Sequence, residues 1–204
     1  MTAATKLPLT WAMHADANRL ISTDALALLI GLVLDQQQPI ERAFTAPWDL
    51  QQRLGSPLRA GYLSSADPDT LADVFRMVPA LHRFPRAKAA QVQALCAHIV
   101  QMYAGDAAQV WTTAVDGAEL VQRARALPGF GDRTSRVLVA ILGKRLGVEV
   151  PGWREAAGDL GVDGSLLSVA DVESAESLQR YRAAKCAAAA PNPSSGARIA
   201  PNAM

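Results

Sequence analysis

The chain has 204 residues and a formal net charge of +1; half of its residues are apolar and only 5% aromatic. That length suits one domain with a solid core or two small lobes, and the Ala/Leu-rich profile is that of a helical globular protein. It excludes several classes: no apolar run approaches the roughly 20 residues that span a bilayer, and the N-terminus lacks the apolar stretch of a signal peptide. Two cysteines, Cys96 and Cys186, make neither a zinc site nor a four-cysteine iron–sulfur site. The expected setting is cytoplasmic and reduced.

Residues 1–15 show no period and read as an extended lead-in, with Leu9 and Trp11 packing onto the body. Asp24 can cap a helix whose apolar positions Leu26, Leu29, Ile30, Val33 and Leu34 form a wide buried stripe. That helix ends in Asp35-Gln36-Gln37-Gln38 before Pro39. Glutamine both donates and accepts, so such side chains can fill the gap left by an extruded base, or simply form a polar helix end. Residues 39–45 and 48–54 read as two short helices separated at Pro47, and Gly55, Pro57 and Gly61 mark a looser surface stretch. Asp67-Pro68 opens a helix carrying Leu71, Val74, Phe75 and Val78 on one face. Another opens at Arg83–Lys88, with Val92, Leu95, Ile99 and Met102 at helical spacing. A short helix surrounds Val110 and Trp111.

Residues 116–126 form the next helix, started by Asp116, and Val137, Leu138, Ile141, Leu142 and Leu146 mark one more. Between them lies Leu127-Pro128-Gly129-Phe130-Gly131. Proline ends the first helix, and the glycines tolerate positive φ and let another backbone come close. The turn is also a helix N-terminus, whose N–H groups and dipole suit an anion. A structural αα-hairpin and a phosphate-binding hairpin both fit. Pro151-Gly152 then turns the chain into a short helix, a last helix spans about 169–190, and 191–204 lack any core-forming pattern and read as a disordered tail.

The charges are distributed unevenly. Arg76, Arg83, Arg86 and Lys88 fall in a stretch without carboxylates, and Arg123, Arg125, Arg133, Arg136, Lys144 and Arg145 crowd the hairpin, while residues 155–176 are acidic. A one-sided basic surface fits a polyanion; solvated helix faces of mixed charge fit as well.

Leu127–Thr134 resembles the hairpin of the helix-hairpin-helix/GPD superfamily of base-excision DNA repair glycosylases. Three further features stand in matching order: Leu28–Gln37, similar to that family's early helix with its Gln wedge; Lys88-Ala89 and Tyr103-Ala104-Gly105, similar to its "KA" helix; and Trp153–Gly161, similar to its short helix ending in Leu-Gly. The resemblance covers roughly residues 20–180 and is nearest to a compact actinobacterial-type branch. It implies an all-α, two-lobed helical bundle over residues 16–190 with a helix-hairpin-helix DNA-binding motif. It also implies a monomer associated with the nucleoid and acting on double-stranded DNA with a damaged or modified base, which it flips into a pocket before cleaving the N-glycosidic bond. Pro128, Gly129, Phe130, Gly131, Arg133 and Thr134 would hold phosphates, Gln36 and Gln37 would fill the gap, and Trp153 fits either stacking on the base or, more commonly for tryptophan, a place in the core. No cofactor is implied beyond a monovalent cation on the backbone carbonyls of Arg125, Leu127 and Phe130.

Two departures matter. Where bifunctional members carry a Schiff-base lysine this chain has Arg133, which does not deprotonate and cannot form an imine. Where the family has its catalytic aspartate, Val150 is followed by Pro151. A carboxylate that stabilises an oxocarbenium-like sugar must come from elsewhere, and Asp35 and Glu155 are the candidates. The expectation is a monofunctional glycosylase. Its alternatives are a catalytically inactive DNA-binding or lesion-sensing protein and a helical protein-interaction module.

Overall fold

The computed structural model describes residues 9–189. Among them the regular structure is entirely helical, as the periodicity predicts. The helices are α1 (Ala15–Thr23), α2 (Ala25–Leu34), α3 (Ile40–Leu54), α4 (Ala60–Ser65), α5 (Pro68–Arg76), α6 (Pro85–Tyr103), α7 (Gln109–Thr112), α8 (Gly117–Ala126), α9 (Asp132–Arg145), α10 (Trp153–Ala157) and α11 (Ala175–Ala189). Two 3-10 turns, Gly158–Gly161 and Val169–Asp171, lie between the last two helices. No single helix among the described residues is long and apolar enough to cross a membrane.

The helix α2 is the axis of the N-terminal half. Asp24 caps it by accepting the Ala27 N–H at 2.9 Å, and every residue from Leu26 to Leu34 is buried. It packs on α1, α3 and α6, while α4 and α5 cover α6. In the other half α8, α9 and α10 pack on one another, and both 3-10 turns lie against α9. Two glycines permit close approach there. A Cβ on Gly143 would sit 2.5 Å from ring atoms of Trp153, and one on Gly117 would sit 2.5 Å from the Gly152 carbonyl oxygen.

Four expectations change. First, Ala15–Thr23 is a helix that the periodicity did not reveal; only Ala17 and Ile21 are buried, too few to print a pattern. It is anchored by side chains: His14 Nδ1 accepts the Ala17 N–H and Asn18 Oδ1 accepts the Ala12 N–H, at 3.4 and 2.7 Å. Leu9 and Trp11 are fully buried ahead of it, and the Trp11 Nε1–H donates to the Val172 carbonyl at 3.0 Å. Second, α3 runs unbroken through Pro47. An interior proline costs about 3 kcal/mol, and here Ile40, Ala43, Phe44, Ala46 and Leu50 bury one continuous stripe that offsets it. Third, α4 forms in the stretch read as loose, because Ala60 and Leu63 bury against α6. Fourth, the last helix starts at Ala175 rather than about 169. Ser177 Oγ accepts the N–H groups of Glu173 and Ser174 at 2.8 Å each, which breaks the chain into a 3-10 turn and a separate helix. Residues 1–8 of the lead-in and the tail 191–204 lie outside the described residues.

Candidate functional site

The hairpin turn joins α8 to α9. The Phe130 N–H closes it on the Leu127 carbonyl at 3.0 Å, and Leu127 and Phe130 are buried while Pro128 is half-buried. Gly129 has φ +89°, and a Cβ there would approach the side chains of Gln91 and Val33 to 3.3 Å. The conformation therefore calls for glycine, and the space beside it is tight. Gly131 differs: a Cβ there would meet nothing within 4 Å, and no side chain caps the helix it starts. The N–H groups of Asp132, Arg133 and Thr134 are the first of α9 and have no carbonyl behind them in the helix. Next to them Asp132 pairs with Arg125 and, at 3.2 Å, with Arg136. The Arg125 guanidinium hydrogen-bonded to Asp132 holds its carboxyl below the usual range.

A cavity of about 170 Å³ lies between the first turns of α9 and the end of α2. Asp35 and Gln36 face it from α2, Arg133 and Thr134 from α9, and Ser168 and Tyr181 from the C-terminal segment. Tyr181 is buried; desolvation raises its hydroxyl pKa, the negative charge of Asp35 raises it further, and the positive charge of Arg133 lowers it. One phenol thus lies within the fields of both the carboxylate and the guanidinium. The wall that carries Ser168 is fixed by ionic contacts. Lys144 donates to Asp171 at 2.7 Å in a buried pair, Ser165 Oγ donates to the same carboxylate at 2.9 Å, and Arg145 pairs with Glu173 at 2.8 Å. Arg133 Nη2 donates to the Leu167 carbonyl at 2.6 Å.

The glutamines of the α2 end differ from one another. Gln36 Nε2 donates to the Gly129 carbonyl at 3.1 Å, and its Oε1 accepts from Lys88 Nζ at 2.8 Å. Its backbone carbonyl lies 2.7 Å from His82 Nε2, while His82 Nδ1 accepts the Phe84 N–H at 3.1 Å. These contacts fix His82 as the neutral Nε2–H tautomer. Burial lowers its pKa, in spite of the opposing bond to Gln36. Gln37 is exposed, with φ +62°. A left-handed non-glycine residue is strained by about 1–3 kcal/mol, and such strain concentrates at functional sites.

Asp35, Gln36, Arg133 and Thr134 are brought together. Trp153 and Glu155 lie elsewhere. Trp153 is 5% exposed, its ring seated on Gly143 with Arg154 stacked over it at 4.3 Å, and it does not line the Asp35 cavity. Glu155 is exposed in a separate groove with Gln122, Arg125 and Arg136.

The one-sided basic surface is also largely compensated. Arg76 and Arg86 meet Asp73 and Asp69 of α5, Arg123 meets Glu119, and Arg125, Arg136, Lys144 and Arg145 each meet a carboxylate. Lys88 is buried. Arg133 at the cavity and Arg83 beside the Gln37 loop remain exposed cations. Most of these carboxylates lie outside the windows in which the sequence looked basic, and folding brings them across. Sequence reasoning missed Tyr181 and Ser168 as lining residues and Lys88 as a buried one. Only Lys88 carries a signal, since it precedes Val92, Leu95 and Ile99 on the same buried stripe of α6.

No protein-family model matches this chain, and no curated protein matches it.

Proposed function

We propose that the chain is a two-lobed helix-hairpin-helix protein of base-excision repair, a monofunctional DNA glycosylase that hydrolyses the bond between a damaged or modified base and its sugar. The observation that carries this reading is the juxtaposition of Asp35 and Gln36 with Arg133 and Thr134 around one cavity of about 170 Å³. The groups proposed to grip phosphate and the groups proposed to act on the nucleotide then share a wall.

In this scheme the N–H groups at the start of α9 hold a DNA phosphate, where an anion gains from the helix dipole. The glutamine loop fills the space of the extruded nucleotide, and the base enters the cavity. Asp35 stabilises the positive charge that develops on the sugar as the C1′–N bond lengthens. A water oxygen bonds to C1′, one of its protons is lost, and the departing base takes the electron pair of the broken bond and a proton. Arg133 supplies charge at this site and cannot form an imine. The carbonyls of Arg125, Leu127 and Phe130 are hard oxygen donors that suit a monovalent cation; Leu127 keeps one lone pair beyond its bond to Phe130. A cation held there would add positive charge beneath the turn.

The test is a panel of lesion-bearing duplexes, each incubated with the protein and then cleaved by alkali at any abasic site. Release of a free base from at least one duplex is expected. Salt-dependent binding without release from any lesion would favour the second reading, a lesion sensor that kept the scaffold. Arg133 in the place of the Schiff-base lysine and Pro151 in the place of the family's aspartate motivate that reading. Absence of salt-dependent DNA affinity would leave a protein-interaction module.

A further inference from the structure

Lys88 is a buried cation that the scheme above does not use. Its side chain leaves the first turns of α6, the residue is 6% exposed, and its ammonium donates to three neutral oxygens. These are the Val33 carbonyl at 2.9 Å, Gln36 Oε1 at 2.8 Å and Gln91 Oε1 at 2.8 Å. Three acceptors match the three protons of an ammonium group. Among the described residues no carboxylate forms an ion pair with it. Burial pushes the amine below its ordinary range. A buried charge held only by neutral dipoles is costly, and the stripe of Val92, Leu95 and Ile99 would accept an apolar side chain at this position. The charge is explained by what it holds.

It holds both sides of the site. With Oε1 committed to Lys88, the Gln36 carboxamide must present Nε2 to the turn, where it donates to the Gly129 carbonyl. An amide flip would set two donors against each other. The Gln91 side chain, which supplies another of the acceptors, lies under the same turn, 3.3 Å from where a Cβ on Gly129 would stand. Gln37, the next residue, stands exposed in a left-handed conformation at the tip of the loop.

We propose that Lys88 is a positioning residue: it locks the Gln36 carboxamide onto the Gly129 carbonyl, ties the α2 end to the hairpin turn, and leaves Gln37 as the side chain that enters the duplex. Gln36 is then a strut and Gln37 the wedge. The inference rests on the DNA reading above, and it divides the labour between two adjacent glutamines that the motif leaves equivalent.

The test uses the full chain and two duplexes, one undamaged and one with a tetrahydrofuran abasic analogue beside 2-aminopurine. Binding preference and fluorescence gain are read together. Lys88→Met should lower the preference for the abasic duplex about tenfold and reduce the fluorescence gain, with binding to undamaged DNA nearly unchanged. Gln36→Glu gives the same loss by a route that keeps the buried ammonium partnered, since a carboxylate can accept from Lys88 but cannot donate to Gly129. That variant keeps the proposal falsifiable where Lys88→Met fails to fold. Gln37→Ala should remove the fluorescence gain while leaving the Gln36 contacts intact. Full preference and fluorescence in folded Lys88→Met or in Gln36→Glu overturns the positioning role, and a full fluorescence gain in Gln37→Ala overturns the wedge assignment. A wild-type protein with no preference between the duplexes overturns the DNA reading itself, a different failure read from a different sample.

Discussion

Asp35 and Glu155 are the two carboxylates that the sequence offers for chemistry, and their surroundings have little in common. Asp35 is half-buried at the end of α2, in a small cavity shared with a guanidinium and a buried phenol. Glu155 stands in water, in a groove whose cations Arg125 and Arg136 already face Asp132. A charge works over distance only where solvent is excluded, so the same carboxylate is worth several times more in the first place than in the second. Sequence position and place in the fold thus diverge: Glu155 is nearer in sequence to Pro151, where the resembling family has its aspartate, and Asp35 is the carboxylate that lines the cavity.

The comparison breaks most severely if the cavity wall is removed. Asp171→Asn leaves Lys144 buried without its charge partner, and such a loss costs about 3–5 kcal/mol. The expected result is a large fall in Tm in thermal unfolding, and an unchanged Tm would show that the wall stands without its ionic anchor. Next in size is Asp35→Asn, which preserves shape and removes charge. Base release should fall by about 10²–10³ while Kd for DNA stays the same. Retained release with Asp35→Asn would move the chemistry away from this cavity. A smaller effect concerns pH. The folded pKa of His82 lies below its ordinary 6.5, so the unfolded chain binds more protons between the two values. Stability is then complete above 6.5 and is lost as pH falls through 6.5 toward the folded value. The protection of the Gln36–Gln38 amides against hydrogen exchange, measured relative to their intrinsic rate at each pH, should fall as pH drops over that window, and His82→Gln should remove that dependence. The smallest effect is expected for Glu155→Gln, within about twofold of wild type in release and binding, as for surface charges remote from a site. A large loss there would reverse the ranking of the two carboxylates.

Much of this arrangement was legible in the residues. Helices α2, α5, α6 and α9 announce themselves by the period of their apolar positions, and Asp24, Asp67 and Asp116 act as the caps they appear to be, each accepting an N–H of the first turn. The α2 end and the hairpin stand out because polar residues and glycines interrupt otherwise apolar helices. What was not legible depends on contacts far apart in the chain. Nothing local in α11 distinguishes Tyr181 as a cavity residue from an ordinary core side chain of that helix. Trp153 fits a stacking platform or a core residue in sequence, and the choice falls to the core once Gly143 is found beneath its ring. The basic character of the hairpin region likewise reads correctly in sequence and wrongly in space, because partners such as Asp171 and Glu173 come from another segment.

The ionic anchoring of residues 162–173 has a consequence for how such a protein changes over time. The segment includes a single short 3-10 turn and is bolted to α9 at Lys144 and Arg145. Its intervening residues, Ser168 among them, form the far side of the cavity, whereas the start of α9 and the α2 end form the near side. Val169 and Ala170 of this segment are buried against α9, and Arg133 donates to the Leu167 carbonyl, so the far wall of the cavity and the start of α9 are tied to one another. If the chain acts on DNA as proposed, what the cavity accepts and how the start of α9 holds on would change together, because one guanidinium belongs to both.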